Sequence, residues 1–231
     1  MEPSREAVRS EYNLPFTHHS DALERIVASQ RNYLIFKRSM DIIGAIVGIL
    51  VLSPILLFIA LIIKAGDPKA PILFKQIRVG LHGHLFQIYK FRSMVVNAED
   101  LLDNLIDQNE VSGAMFKMKD DPRVTRIGHF IRRTSLDELP QLFNVLRGNM
   151  SLVGPRPPLP REVANYSVYD KQRLLVRPGC TGLWQISGRS NLGFEEMVRL
   201  DLKYITNRNL GLDLKIILKT IGVLFGSKNA F

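Results

Sequence analysis

Cysteine occurs once in the 231 residues, as Cys180, which excludes a disulfide framework and a thiolate metal cluster. It stands in Arg177-Pro178-Gly179-Cys180-Thr181-Gly182, a run with turn chemistry, where a lone thiol reads as a space-filler in a reduced compartment. Histidine is nearly as scarce. Of the five, His82-Gly83-His84 form a close pair, and with no further ligand at useful spacing they read as a hairpin turn, not a metal site. There is no Walker loop, GxGxxG, HExxH, GxSxG or paired-cysteine signature, and no internal repeat or low-complexity tract. One further absence is local: from Ile42 to Ile63, 22 residues pass without a charge or an amide.

As a straight helix that run would be roughly 33 Å long, about the thickness of a bilayer's hydrocarbon core. A soluble core helix of that length would keep a polar face. A secretory signal does not fit, because the run starts about forty residues in, exceeds the usual apolar length, and lacks a small-residue cleavage pattern. Lys37-Arg38 precede it, and Lys64, Lys69, Lys75 and Arg78 follow it. Positive flanks favour the cytoplasmic side, and a spanning helix can satisfy only one of them. Pro54 removes a backbone donor and crowds the preceding turn, while Ser53 can bond a carbonyl so freed. A re-entrant segment that breaks at Ser53-Pro54 and a kinked spanning helix both meet these constraints.

The net charge of +9 is unevenly placed. Residues 1–41 carry six Lys/Arg and six Asp/Glu, so the whole excess follows Ile63. A basic body beside a membrane suits anionic headgroups, phosphorylated substrates or nucleic acid. Residues 1–33 read as a polar extension with a helical patch at Asp21–Gln30. Ile72–Val79 and His84–Met94 read as a β-hairpin. Helical spacing marks Asn97–Gln108, Val124–Arg133, Leu136–Leu146, Pro160–Leu175, Phe194–Ile205 and Leu212–Phe225. The last of these suits either a core or the membrane interface. Asp120-Asp121-Pro122 reads as a turn and helix entry in preference to a metal motif.

The chemistry concentrates in Arg132-Arg133-Thr134-Ser135-Leu136-Asp137-Glu138-Leu139-Pro140-Gln141. Ser135 and Glu138 have capping-box spacing, which explains both carboxylates as first-turn helix residues. The same placement, beside two arginines, would keep a carboxylate ionised, fit to be a nucleophile or a Mg2+ ligand. Adjacent residues on a helix diverge by about 100°, so Asp137 and Glu138 would have separate roles. Lys90-Phe91-Arg92 and Arg156 could supply phosphate contacts.

Eight segments in order then resemble one family, the bacterial monotopic phosphoglycosyl transferases, or bacterial sugar transferases. They are Lys37-Arg38, Ser53-Pro54, Phe74-Lys75-Gln76-Ile77-Arg78-Val79-Gly80 and Tyr89-Lys90-Phe91-Arg92-Ser93-Met94, then Asp121-Pro122-Arg123-Val124-Thr125, Thr134 through Gln141, Ser151-Leu152-Val153-Gly154-Pro155-Arg156-Pro157, and Arg177-Pro178-Gly179. They cover residues 34–231. The resemblance implies transfer of a sugar-1-phosphate from a UDP-sugar to polyprenyl (undecaprenyl) phosphate, with release of UMP, as the first membrane step of exopolysaccharide, capsule or related glycan synthesis. It implies Asp137 as nucleophile in a ping-pong scheme, Glu138 completing a dyad, and Mg2+ as cofactor with Asp137 among its ligands. Lys90, Arg132 and Arg156 match basic positions that hold phosphates, and charge and motif position add Arg92 and Arg177.

The expected architecture is α+β and mostly helical: a monotopic membrane protein with a re-entrant helix-break-helix, a small β-hairpin and interfacial amphipathic helices. Residues 34–70 would form the membrane element and 71–231 a cytoplasmic catalytic domain on the bacterial inner membrane, in a small family form with residues 1–33 as an extension. The expected partners are the two substrates and membrane lipids, without nucleic acid. Two other classes compete. A membrane-tethered basic scaffold explains the charge but not Asp137-Glu138 between arginines and a proline. A Mg2+-dependent phosphohydrolase would differ in delivering its product to water.

Overall fold

The computed structural model describes residues 21–98, 100, 101, 105, 118, 120–188 and 192–226. Most of the helix expected over Asn97–Gln108 and all of residues 1–20 lie outside them. The described residues begin with helix α1 (Asp21–Ser29) and continue into α2 (Arg31–Gly66), the 36-residue element that contains the apolar run. It is the one described helix long and apolar enough to cross a membrane. At about 1.5 Å per residue it is about 54 Å long.

The interruption expected at Ser53-Pro54 is replaced by continuous helix. Pro54 withholds the N–H that the Leu50 carbonyl would receive, and Ser53 Oγ donates to that same carbonyl at 2.8 Å. One hydroxyl thus makes good the missing bond. The helix stops at Asp67, whose N–H still reaches the Ile63 carbonyl at 3.1 Å and whose Oδ1 accepts from Lys69 and Ala70 N–H.

A single stripe of α2 faces the rest of the molecule. Its first half places Asp41 and Ala45 against the body, with Gly44 so close that a Cβ there would lie 2.6 Å from Leu152 Cδ1. Its second half places Ile59 and Ile63 against Phe91 and Ile131. The opposite side, including Val47, Leu50, Val51, Leu57, Phe58 and Leu61, is exposed and apolar.

Strands β1 (Leu73–Val79) and β2 (Leu85–Phe91) form the antiparallel hairpin, with Leu73 opposite Phe91 and Val79 opposite Leu85. His82, at φ 50°, and Gly83, at φ 76°, turn the connection, as their turn chemistry implied. A second pair, β3 (Ser151–Val153) and β4 (Gly179–Thr181), is parallel. Helices α3 (Arg126–Arg133) and α4 (Gln141–Leu146) follow the hairpin; α5 (Pro160–Ala164) and α6 (Val168–Lys171) separate the two short strands. Helices α7 (Leu183–Ser187), α8 (Phe194–Asn207) and α9 (Leu210–Gly226) complete the fold.

Two expected helices are divided. Leu136–Leu146 is a 3-10 turn at Leu136–Glu138 followed by α4, because Pro140 has no N–H to continue the ladder. Pro160–Leu175 is α5, α6 and a 3-10 turn at Gln172–Leu175. Ser167 restarts the helix with a reciprocal cap, its Oγ accepting from Asp170 N–H at 3.2 Å while Asp170 accepts from Ser167 N–H at 2.9 Å.

The main core gathers Val153, Leu175, Val198, Ile205 and Ile216, with Leu23 of α1 packed into it. A second cluster joins Ala45 of α2 to Phe86, Ile88, Val145 and Met150. Helix α9 has one buried side and one exposed: Ile216 is buried, while Leu214, Leu218 and Ile221 form an exposed apolar row.

Candidate active site

The site begins with how α3 is placed. Thr125 caps it, Oγ1 accepting from Gly128 N–H at 3.0 Å. A Cβ on Gly128 would lie 1.9 Å from the Ser93 carbonyl oxygen, so only glycine lets the helix run this close to the end of the hairpin. Arg132, one turn later, then reaches back to Ser93, Nε to Oγ at 2.9 Å. After α3 the chain reverses through Ser135, a non-glycine residue in the left-handed region at φ 55°. Such a conformation costs about 1–3 kcal/mol and marks a backbone held by its surroundings. Ser135 makes no side-chain cap. The capping-box reading therefore fails, and Glu138 takes a different partner.

That partner is Lys90, Nζ to Glu138 Oε1 at 2.6 Å. Lys90 stands opposite Phe74, Gln76 opposite Ile88, and Arg78 opposite Phe86, so Lys90, Gln76 and Arg78 share one face of the hairpin. Asn144, fully buried on α4, fixes this hairpin from its edge. Its Oδ1 accepts from Tyr89 N–H at 3.0 Å and its Nδ2 donates to the Gln87 carbonyl at 2.6 Å. The amide acts as one residue of an added strand, and holds Lys90 level with the turn that carries Glu138.

The third contributor is the proline-rich segment after β3. Val79 N–H donates to the Pro158 carbonyl at 2.9 Å, and Arg78 Nη1 to the Pro157 carbonyl at 3.1 Å. Arg156 lies 3.4 Å from the buried Glu162 carboxylate. Behind it, Arg173 donates to the Arg156 carbonyl at 3.4 Å and forms a buried ion pair with Asp201.

Asp137 and Glu138 adjoin in sequence but titrate in opposite directions. Asp137 is 7 % exposed, and burial pushes its carboxyl up to about 6, Lys90 and Arg132 opposing the rise and Glu138 adding to it. Burial also works against the Glu138 carboxylate. There, Lys90 prevails through its charge and hydrogen bond, with Arg156 and Arg78 in support, and holds Glu138 below the ordinary range. The positive charges expected to keep a carboxylate ionised are present at both groups, and at Asp137 desolvation outweighs them enough to raise its pKa. Arg132 is itself lowered by burial, with Asp137 its strongest counter-charge. Burial and then the Arg156 guanidinium lower Arg78 to about 9.

Of the residues identified from sequence, the structure thus gathers Lys90, Arg132, Asp137, Glu138 and Arg156. Arg92 lies at the open end of the hairpin, donating to the Pro71 carbonyl at 2.9 Å with its guanidinium 5.9 Å from the Phe74 ring centroid. Arg177 donates to the Gly148 carbonyl at 3.1 Å. Neither is among the charges that dominate Asp137 or Glu138. Ser53 and Pro54 lie in the exposed apolar stretch of α2. Asp121 is committed to Arg123 through a bidentate pair at 2.9 and 2.7 Å, a structural role consistent with the turn reading. Burial raises the Cys180 thiol well above its ordinary range, so it is not a ready nucleophile.

Sequence reasoning counted Arg78 as a positive flank and set Arg78 and Ser93 in family-like segments, but gave neither of them, nor Asn144, a place in the site. Strand alternation could have set Arg78 beside Gln76; nothing local marks Asn144. For a divalent metal, no cage of three or more His, Cys, Asp or Glu exists among the described residues. Mg2+ needs only one or two carboxylates when water and substrate phosphates complete its shell. The Asp137–Glu138 pair fits that requirement and does not fit a closed zinc or calcium cage.

The model of the family described as Bacterial sugar transferase matches residues 32–227. Galactosyl transferase CpsE of Streptococcus agalactiae is 50% identical over 194 residues, covering 84% of this chain and 43% of that protein. UDP-galactose-lipid carrier transferase of Erwinia amylovora is 45% identical over 199 residues, 84% and 41% of the two chains. Undecaprenyl-phosphate galactose phosphotransferase of Salmonella typhimurium is 42% identical over 207 residues, 88% and 43%. The chain spans less than half the length of each of these three relatives.

Proposed function

Since this chain belongs to the bacterial sugar transferase family, we propose that it transfers a sugar-1-phosphate from a UDP-sugar to undecaprenyl phosphate or a related polyprenyl phosphate, releasing UMP. The observation that carries the reading is the pairing of a buried carboxyl, Asp137, with a neighbouring carboxylate held by Lys90, inside a group of four cations: Arg78, Lys90, Arg132 and Arg156.

In this mechanism an Asp137 carboxylate oxygen attacks the β-phosphorus of the donor. The bond from that phosphorus to the bridging oxygen breaks, and the electron pair leaves with UMP. The sugar phosphate is then carried on Asp137 as an acyl phosphate. A phosphate oxygen of the polyprenyl phosphate attacks the same phosphorus, the bond to Asp137 breaks, and the carboxylate is restored. Lys90, Arg132 and Arg156 hold the phosphate oxygens, and their charge disperses the negative charge that builds up in each transfer. With a pKa of about 6, Asp137 is largely ionised at neutral pH yet poorly solvated, which suits a nucleophile. Mg2+ bound by Asp137 and Glu138 would neutralise the donor's diphosphate.

The apolar outer face of α2 and the exposed row on α9 are proposed to lie in the membrane. Both halves of α2 dock on the same body, through Asp41 and Ala45 at one end and Ile59 and Ile63 at the other. Both flanks then remain on the cytoplasmic side, where a soluble donor and a lipid phosphate can meet at Asp137. Single cysteines at Arg31 and at Lys69, in a Cys180→Ala background, should both react with an impermeant reagent from the cytoplasmic face only. Labelling from opposite faces overturns the one-sided topology.

The reaction is tested by incubating the protein with a labelled UDP-sugar, starting with UDP-galactose and UDP-glucose. UMP release should require polyprenyl phosphate and Mg2+, and labelled phosphosugar should be trapped on the protein when the lipid is withheld. Label recovered in water instead of lipid would identify a phosphohydrolase.

A further inference from the structure

Among the described residues, Arg78 forms no ion pair with a carboxylate. It is 8 % exposed, and its two hydrogen bonds go to neutral acceptors, the Pro157 carbonyl and Gln76 Oε1 at 2.6 Å. Its buried Nε has no partner among the described residues. The strongest charge acting on it is another cation, Arg156, ahead of Glu162 and Glu138. Those two carboxylates are already engaged, Glu162 by Arg156 and the Leu159 N–H, and Glu138 by Lys90.

A buried guanidinium is tolerated when a charge or a full set of acceptors compensates it. Arg208 shows the compensated case: it too is buried with an unpartnered nitrogen, but it lies over the Tyr33 ring, 5.4 Å from the centroid, and Asp213 is a nearby negative charge. Arg78 has a like charge where Arg208 has an opposite one. Two neighbouring guanidiniums, one of them with an unused donor, form the standard receptor for a phosphate, which can accept from both.

We propose that Arg78 is a phosphate-binding residue, acting with Arg156 to hold one anionic phosphate group beside the Lys90–Glu138 pair. Its hydrogen bond to the Pro157 carbonyl then has a second effect, setting the segment that carries Arg156 at the distance at which both guanidiniums can share the anion. The naming of that group as a phosphate of the UDP-sugar or of the lipid rests on the transferase reading; the anion site itself does not.

The test uses the full chain in detergent or nanodiscs, as wild type, Arg78→Lys and Arg78→Gln. Arg199→Gln, which removes an exposed charge paired with Glu196, serves as the charge control. Affinities for inorganic pyrophosphate, UMP and polyprenyl phosphate are measured by titration calorimetry, and KM is measured separately for donor and lipid. Arg78→Gln should weaken pyrophosphate binding by about tenfold or more, and Arg78→Lys should weaken it less, since charge remains while the fork is lost. A parallel loss confined to UMP affinity and donor KM places the donor phosphate there, and a loss confined to the lipid places the lipid phosphate.

If Arg78 only props the Pro157 segment, both variants lower kcat and the thermal midpoint while binding all three anions as wild type does, and the proposal is overturned. Equal weakening by Arg199→Gln overturns it as well. Failure of the transferase reading looks different: wild type releases no UMP from any UDP-sugar, yet pyrophosphate affinity still depends on Arg78.

Discussion

At the junction of α2 with α8 and α9, Asp213 is fully buried and both of its carboxylate oxygens are engaged. Oδ2 accepts from Lys37 Nζ at 2.9 Å and Tyr33 at 2.8 Å, and Oδ1 accepts from Tyr204 at 2.7 Å. At the hairpin and the Leu136–Glu138 turn, four cations face three carboxylates, Arg78 keeps a donor unused, and Asp137 is buried at a cost to its ionisation. The first cluster is closed, and its charges hold the long apolar helix to the body. The second is open, and its imbalance is what an anionic substrate would relieve. A buried polar cluster is therefore read less by its composition than by whether its hydrogen bonds are already complete.

The sharpest way to separate the two clusters is Asp137→Asn. Sugar-phosphate transfer should fall by at least about 10^3-fold, as expected for loss of a covalent nucleophile. The same change removes a buried charge whose ionisation the fold opposes, so the thermal midpoint should hold or rise. Retained turnover would end the nucleophile assignment.

The closed cluster should show the reverse pattern. Removing one partner of a buried pair, as in Lys37→Met or Asp213→Asn, should cost about 3–5 kcal/mol in denaturant unfolding. Activity measured on the remaining folded fraction should change little. If turnover falls much more than the folded fraction does, the two clusters are coupled and the contrast is wrong.

A pH profile sharpens the comparison further. A raised carboxyl pKa means Asp137 is protonated, and unable to attack, at pH values where an ordinary aspartate is ionised. Activity should decline below about pH 6 and lose about tenfold per unit beneath it. An acid limb near pH 4 would mean that burial does not govern Asp137 in solution.

Asn144→Ala removes two hydrogen bonds to β2 and should cost about 1–3 kcal/mol. Since the clamp aligns Lys90 with Glu138, it should also lower kcat. The smallest effect is expected at Ser135. Ser135→Gly relieves the left-handed conformation and should raise unfolding free energy by about 1 kcal/mol at most.

Much of this molecule could be read from its residues. The hairpin followed from alternation and from His82-Gly83, and α8 and α9 from their apolar period. The engaged Leu50 carbonyl followed from Ser53 standing next to Pro54. What escaped was decided by contacts distant in sequence. Glu138 has capping-box spacing, and only the approach of β2, 48 residues earlier, diverts its carboxylate to Lys90. The continuity of α2 through Pro54 and the division of Leu136–Leu146 at Pro140 both turn on whether a lost backbone bond found a substitute, which the presence of proline alone does not disclose.

The sequence by itself determined the apolar run, the basic body that follows it and the ordered segments that identify the family, because these depend on residue type and spacing along one chain. Only the tertiary structure decided that Asp137 is the desolvated carboxyl and Glu138 the paired one, that Arg78 is buried beside Arg156, and that both halves of α2 rest on one body. Those outcomes depend on which groups are excluded from water and which opposing charge reaches them first, and burial and distance arise only when the chain has closed on itself.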